Sequence, residues 1–131
     1  MIGLDTNIIV RYLTQDDPVQ SPKATALIEN EITERNPGFV SVVAIAETAW
    51  VLKRVYGLRD DEIAADLEGI LRADTMVVQN EREVFRAVAA LGEGYGSFAD
   101  VLIEGLNAKA GCVRTVTFDR QAVRLPGFRL L

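Results

Sequence analysis

The sequence predicts an α/β protein, a three-layer α/β/α sandwich around a mainly parallel sheet of four to five strands. Two observations carry this. Short apolar runs alternate with segments of helical spacing along the chain. The apolar runs also stop at residues that cap helices well, as in Leu4-Asp5-Thr6-Asn7 and Phe39-Val40-Ser41. Strands that alternate with helices imply parallel pairing with helices on both faces. No repeat, linker or low-complexity tract interrupts this order, so one domain is expected over residues 1–131.

Taken in order, Ile2-Gly3-Leu4 reads as a short buried strand that ends at Asp5 and turns into a helix through Ile8, Ile9 and Leu13. Asp16-Asp17-Pro18 breaks that helix. Ser21-Pro22 reads as an N-cap with proline in the first helical position, with Pro18 as the earliest start. Ala24, Leu27, Ile28 and Ile32 carry the second helix to about Glu34. Asn36-Pro37-Gly38 is a turn, and Phe39-Val40-Ser41 a second strand. Ser41 caps a helix running to about Tyr56 and closed by Gly57, with Val43, Ala46 and Trp50 expected in the core.

Asp60-Asp61-Glu62 opens a fourth helix, where acids complement the helix dipole, and Ile63, Leu67, Ile70 and Leu71 form its apolar stripe. Thr75-Met76-Val77-Val78-Gln79 is a third strand. Val84, Phe85, Val88 and Leu91 mark another amphipathic helix. Gly92, Gly94 and Gly96 follow a helix rather than a strand, so they read as a connector and not a phosphate loop. Ser97-Phe98-Ala99-Asp100 leads into a helix with Leu102, Ile103, Leu106 and Ala110 on one face, ended by Gly111. Val113-Arg114-Thr115-Val116-Thr117 is a fourth strand, then come Phe118-Asp119 and a short helical turn. Phe128 to Leu131 offers an edge strand.

Composition narrows the chemistry. The chain is 49% hydrophobic, which argues against disorder. No apolar run approaches the roughly 20 residues that span a bilayer, and no charged-then-apolar leader opens the chain, so a soluble cytoplasmic protein without membrane contact is expected. The single cysteine, Cys112, is expected to be a small buried hydrophobe. No histidine occurs, which removes Ser-His-Asp and Cys-His catalysis and histidine-ligated zinc. A net charge of −5 argues against general nucleic-acid binding, but acids gathered in one place attract divalent cations that can meet phosphate.

Asp5 ends the first strand, and Asp119 follows the fourth after one residue. If those strands are parallel neighbours, both acids meet at one sheet edge, where ligands bind in open α/β sheets. Asp100 and Glu47 lie early in helices that begin at that same edge. Each acid alone reads as a cap or a solvated charge. Together they form a like-charged cluster that needs a compensator, and oxygen-only ligands suit Mg2+ or Mn2+.

The ordered set of motifs resembles a PIN domain, and within that family the VapC ribonuclease toxins of prokaryotic toxin–antitoxin pairs. Leu4-Asp5-Thr6-Asn7 with Arg11-Tyr12-Leu13 and Asp16-Asp17-Pro18 resembles the first motif. Ser41 followed by Glu47 resembles the second, Asp100-Val101-Leu102-Ile103 the third, and Thr117-Phe118-Asp119-Arg120 the fourth. The resemblance implies that Asp5, Glu47, Asp100 and Asp119 are catalytic and hold Mg2+ or Mn2+, with Asn7 and Thr117 orienting them. It implies an endoribonuclease acting on RNA phosphodiesters, a cognate antitoxin protein and a homodimer. One departure is Ser97, where many relatives carry an acid; Glu104, one turn after Asp100, reads as a solvated charge.

The Ile63, Leu67, Ile70, Leu71 stripe, with Val84, Phe85 and Val88, is the expected dimer surface. Alternatives are a catalytically silent PIN-like binding module and a PIN nuclease of RNA processing outside a toxin–antitoxin pair. A phosphate-accepting receiver domain would need a late lysine, and none follows Lys109; a haloacid-dehalogenase-type phosphatase would need an acid where Asn7 stands.

Overall fold

The computed structural model describes residues 1–131. Its elements run β1 (Ile2–Gly3), α1 (Thr6–Thr14), α2 (Gln20–Ala26), β2 (Gly38–Val40), α3 (Val42–Arg54), α4 (Asp60–Arg72), β3 (Met76–Val78), α5 (Glu81–Glu93), α6 (Phe98–Lys109), β4 (Thr115–Thr117) and β5 (Phe128–Leu130). A wide helical turn, Leu27–Glu31, extends α2, and a tight one, Ala122–Arg124, precedes β5. The alternation expected from the sequence is present, and helices pack on both sides of parallel strands. No helix is long and apolar enough to cross a membrane.

Every strand pair is parallel, but the strands divide into two sheets rather than one. β2 is central in the first, with Ile2 opposite Gly38 and Gly38 opposite Met76. β4 and β5 form the second, with Thr115 opposite Phe128. The shortness of β1 explains the break. The Ile2 and Leu4 amides both donate toward β2, to Pro37 O and Phe39 O at 2.9 Å. Strand alternation then leaves only Gly3 to offer backbone groups to a neighbour on the other side. β1 and β4 therefore share no ladder, and the hydrogen-bonded pairing considered for them is absent.

Local chemistry sets the helix starts. Ser41, the expected N-cap, accepts from Ala44 N at 3.2 Å, and Ser97 caps α6 by accepting from Asp100 N at 3.1 Å. The second helix begins before Ser21, because Asp17 Oδ1 accepts from Val19 N and Gln20 N at 2.9 and 2.6 Å. Ser21 is instead buried, and its hydroxyl donates to Arg11 O at 2.9 Å, tying α2 to α1.

The core lies between the three-stranded sheet and α1, α3, α4, α5 and α6, with Ile45, Leu52, Ile63, Leu67 and Val84 fully enclosed. Each such side chain contributes about 1.5–3 kcal/mol through burial. Several expectations are overturned here. On α3 the inward face is Ala44, Ile45, Thr48, Ala49 and Leu52, while Val43 and Trp50 face out, Trp50 at 59% exposure. That helix carries two apolar stripes, and the one with Ile45 and Leu52 packs inward. Ile63, Leu67, Ile70 and Leu71 are buried, as are Val84 and Val88, in the packing of α4 with α5, so they present no dimer surface. Cys112 is exposed beyond the left-handed Gly111 (φ +98°) that follows α6.

Candidate active site

Asp5 is the N-cap of α1, with extended backbone (φ −80°, ψ 156°), and its Oδ1 accepts from Thr6 N at 2.8 Å. Its carbonyl accepts from Ile8 and Ile9, so the helix begins under the carboxylate while Oδ2 remains free of hydrogen bonds within the chain. Glu47 is exposed in the second turn of α3, which Ser41 starts. Asp100 is half-buried in the first turn of α6, its amide held by Ser97. Asp119 follows β4 on a turn. Its amide donates to Thr117 Oγ1 at 3.0 Å, and its Oδ1 accepts from Gln121 N at 2.8 Å.

These side chains come together in pairs. Asp5 and Glu47 line one cavity of about 310 Å3, joined by Thr6, Asn7, Arg11 and Tyr56. Asp100 and Asp119 line another of about 480 Å3, joined by Tyr95, Ser97, Gln121 and Arg124. No three acids gather into one metal-ligating group. None of the four is ion-paired, whereas Asp16, Asp60, Asp61, Glu62, Glu68, Glu83 and Glu104 all are.

Thr117 is bonded to the Asp119 amide, and Asn7 lines the cavity of Asp5 and Glu47 without a hydrogen bond from its side chain. Glu104 is not a solvated charge. It is 8% exposed, and its Oε2 accepts from Arg86 Nη2 at 2.9 Å. Arg11 is fixed by donating to Tyr56 OH at 2.8 Å and to Asp16 Oδ1 at 3.1 Å, and Lys53 pairs with Asp60 at 2.9 Å. Tyr56 and Thr14 donate to the Asp16 carboxylate and, with the Arg11 charge, hold it below the usual range.

The donor chemistry fits a hard divalent cation. Mg2+ is commonly held by one or two carboxylates, completed by waters and substrate phosphate. Each cavity supplies two carboxylates and is open to water. Gln121, Arg124 and Tyr95 stand beside the acids without having been anticipated. They lie outside the motifs, and no periodicity marks them.

The profile of one protein family, described as the PIN domain, matches residues 2–127. No curated protein and no solved structure matches the chain at a significant level.

Proposed function

Because the chain belongs to the PIN domain family, whose members are generally nucleases, we propose that it is a metal-dependent endoribonuclease and the toxin of a toxin–antitoxin pair. The supporting observation is the set of unpaired carboxylates of Asp5, Glu47, Asp100 and Asp119, two to each of two water-open cavities. Asp5 with Glu47, and Asp100 with Asp119, would hold Mg2+ or Mn2+. The chemistry such an ion supplies is activation of water and neutralisation of phosphate charge. The protein's own part is to hold the backbone that carries the carboxylates before substrate arrives. Ser97 and Thr117 accept from the backbone amides of Asp100 and Asp119, while the carboxylates of Asp5 and Asp119 accept from Thr6 N and Gln121 N. With no histidine in the chain, imidazole takes no part in moving protons, and carboxylates and water stand nearest the site.

The partners follow the same resemblance. The antitoxin is proposed to lay an amphipathic segment against an apolar cavity of about 310 Å3 that includes Leu4, Ile9, Tyr12, Leu13, Ile28 and Met76. Its basic side chain would be offered to the carboxylates, since a guanidinium pairs bidentately with them. A homodimer is proposed as well, and because the α4–α5 stripe is buried its interface lies elsewhere on the surface.

The test is incubation of the purified chain with total RNA in Mg2+, in Mn2+ and in chelator, with sequencing of the new RNA ends. Metal-dependent internal cuts that an Asp100→Asn chain fails to make are expected. Intact RNA under all three conditions overturns the reading.

A further inference from the structure

Beside Asp100 and Asp119, the larger cavity carries an aromatic side chain, an amide and a cation that nothing in the chain occupies. Tyr95 is 66% exposed. It stands between Gly94 (φ +80°) and Gly96 (φ +92°), and its amide donates to Ala90 O at 2.9 Å. The two left-handed glycines turn the chain sharply at the end of α5 and leave the ring projecting from a pinned backbone. The same cavity is lined by Gln121 and Arg124, from the tight turn before β5. The Gln121 side chain, the Arg124 guanidinium and the Tyr95 hydroxyl have no hydrogen bond or ion pair within the protein, and only backbone groups of these residues are engaged.

At about 480 Å3 the space is that of a small-molecule site. An aromatic face beside a free amide matches how proteins take unstacked RNA bases, by stacking on the ring and hydrogen-bonding at the base edge. A chain of net charge −5 draws the phosphate backbone weakly, so stacking must carry recognition. Arg124 offers the one cationic side chain of the cavity, which also holds two carboxylates. We infer that this cavity seats the nucleotide next to the scissile phosphate, with Tyr95 stacking on its base, Gln121 reading the base edge and Arg124 meeting a phosphate oxygen. Tyr95 and Gln121 are then specificity-determining residues. The inference rests on reading the neighbouring acids as a nuclease site.

The experiment has two arms, run with wild type, Tyr95→Phe, Tyr95→Ala and Gln121→Ala. The first measures binding of the four ribonucleoside 5′-monophosphates in Mg2+ by calorimetry. Tyr95→Ala is expected to weaken the preferred nucleotide by about 5- to 100-fold, the range that loss of one base stack produces, and Tyr95→Phe to retain it. Equal binding by wild type and Tyr95→Ala, or no binding of any of the four by wild type, overturns the inference. The second arm cuts a random-sequence RNA and sequences the ends. Tyr95→Ala and Gln121→Ala are expected to broaden the base preference beside the cut, and an end profile identical to wild type overturns the placement. Tyr95-dependent binding without any RNA cleavage keeps the nucleotide site and overturns the nuclease reading. Cleavage without Tyr95-dependent binding does the reverse.

Discussion

Arg86 Nη2 lies 2.9 Å from Glu104 Oε2, and the two partners differ sharply in setting: the arginine side chain is 57% exposed, the glutamate 10%. The pair joins α5 to α6. The Glu104 side chain also lies against Gly127, where an added Cβ would stand 2.5 Å from its Cγ. A buried carboxylate that loses its partner is costly, whereas the exposed arginine loses little by itself. Arg86→Ala is therefore expected to destabilise the fold by about 1–3 kcal/mol in urea unfolding, and Glu104→Gln by less. Gly127→Ala should push Glu104 off its partner, so its cost should not add to that of Arg86→Ala. Simple additivity would show that the two positions act separately.

The carboxylates of the candidate site should separate activity from stability. Asn replaces Asp as an N-cap with little loss. Asp5→Asn should leave melting in chelator unchanged or slightly raised, because like-charge repulsion falls. RNA cleavage should drop by about two or more orders of magnitude, the scale of losing a positioned catalytic charge. Asp100→Asn should behave alike and Asp119→Asn more mildly. Wild-type, metal-dependent cleavage by Asp5→Asn would falsify the assignment.

Acid should weaken the fold through the start of α2. Hydrogen bonds from Tyr56 and Thr14 lower Asp16, and backbone bonds from Gln20 and Val19 lower Asp17. Groups lowered in the fold contribute stability above their unfolded value, near pH 4, and lose it as pH falls through the folded value. Asp66 has the opposite sign. Burial raises it, so its ionised form opposes folding at neutral pH, and that cost is relieved on protonation. Melting temperature from pH 7 to pH 3 should therefore fall more gently in Asp16→Asn than in wild type. Asp66→Asn should raise it at pH 7.

On α3, opposite faces of one turn should respond very differently. Leu52 is wholly buried, and Leu52→Ala is expected to cost about 2–5 kcal/mol. Trp50→Ala, on the outward face, should stay within about 0.5 kcal/mol for the monomer. Trp50 is the sole tryptophan, so its fluorescence reports that face alone. A dimer that covers this face, and with it Glu47, should shift the emission toward the blue as concentration rises, in step with mass by light scattering. An unchanged spectrum across a dimerisation step would place the interface elsewhere.

The sequence made the element order legible because its caps are explicit. Asp5, Ser41 and Ser97 each precede a helix, and each accepts an amide of the turn that follows. The four acids were legible as residues of one edge because each sits just beyond a strand or just inside a helix. Their division into pairs was not, since it depends on whether β1 and β4 share a ladder. Trp50 was misread because Val43-Ala46-Trp50 and Ile45-Ala49-Leu52 are both plausible apolar stripes, and only packing against other helices selects one. Glu104 was misread because the partner that lets it be buried, Arg86, lies on a different helix. Tyr95, Gln121 and Arg124 are brought together by the loop after α5 and the turn before β5, which no local pattern links.

The missing ladder between β1 and β4 has a consequence for amide hydrogen exchange. A two-stranded ribbon is marginal by itself, and proteins open in units whose free energies range from near zero to that of global unfolding. The β4–β5 amides should therefore exchange through a smaller opening than those of β2, which is bonded on both sides. Asp119 directly follows β4, whereas Asp5 and Glu47 follow β1 and β2 of the three-stranded sheet, so the opening should move Asp119 and leave the other two in place. A ligand bridging the two must hold the ribbon closed, so part of its binding free energy is spent on that closure and reappears as slowed exchange at the Thr115 and Leu131 amides, which donate across the ribbon.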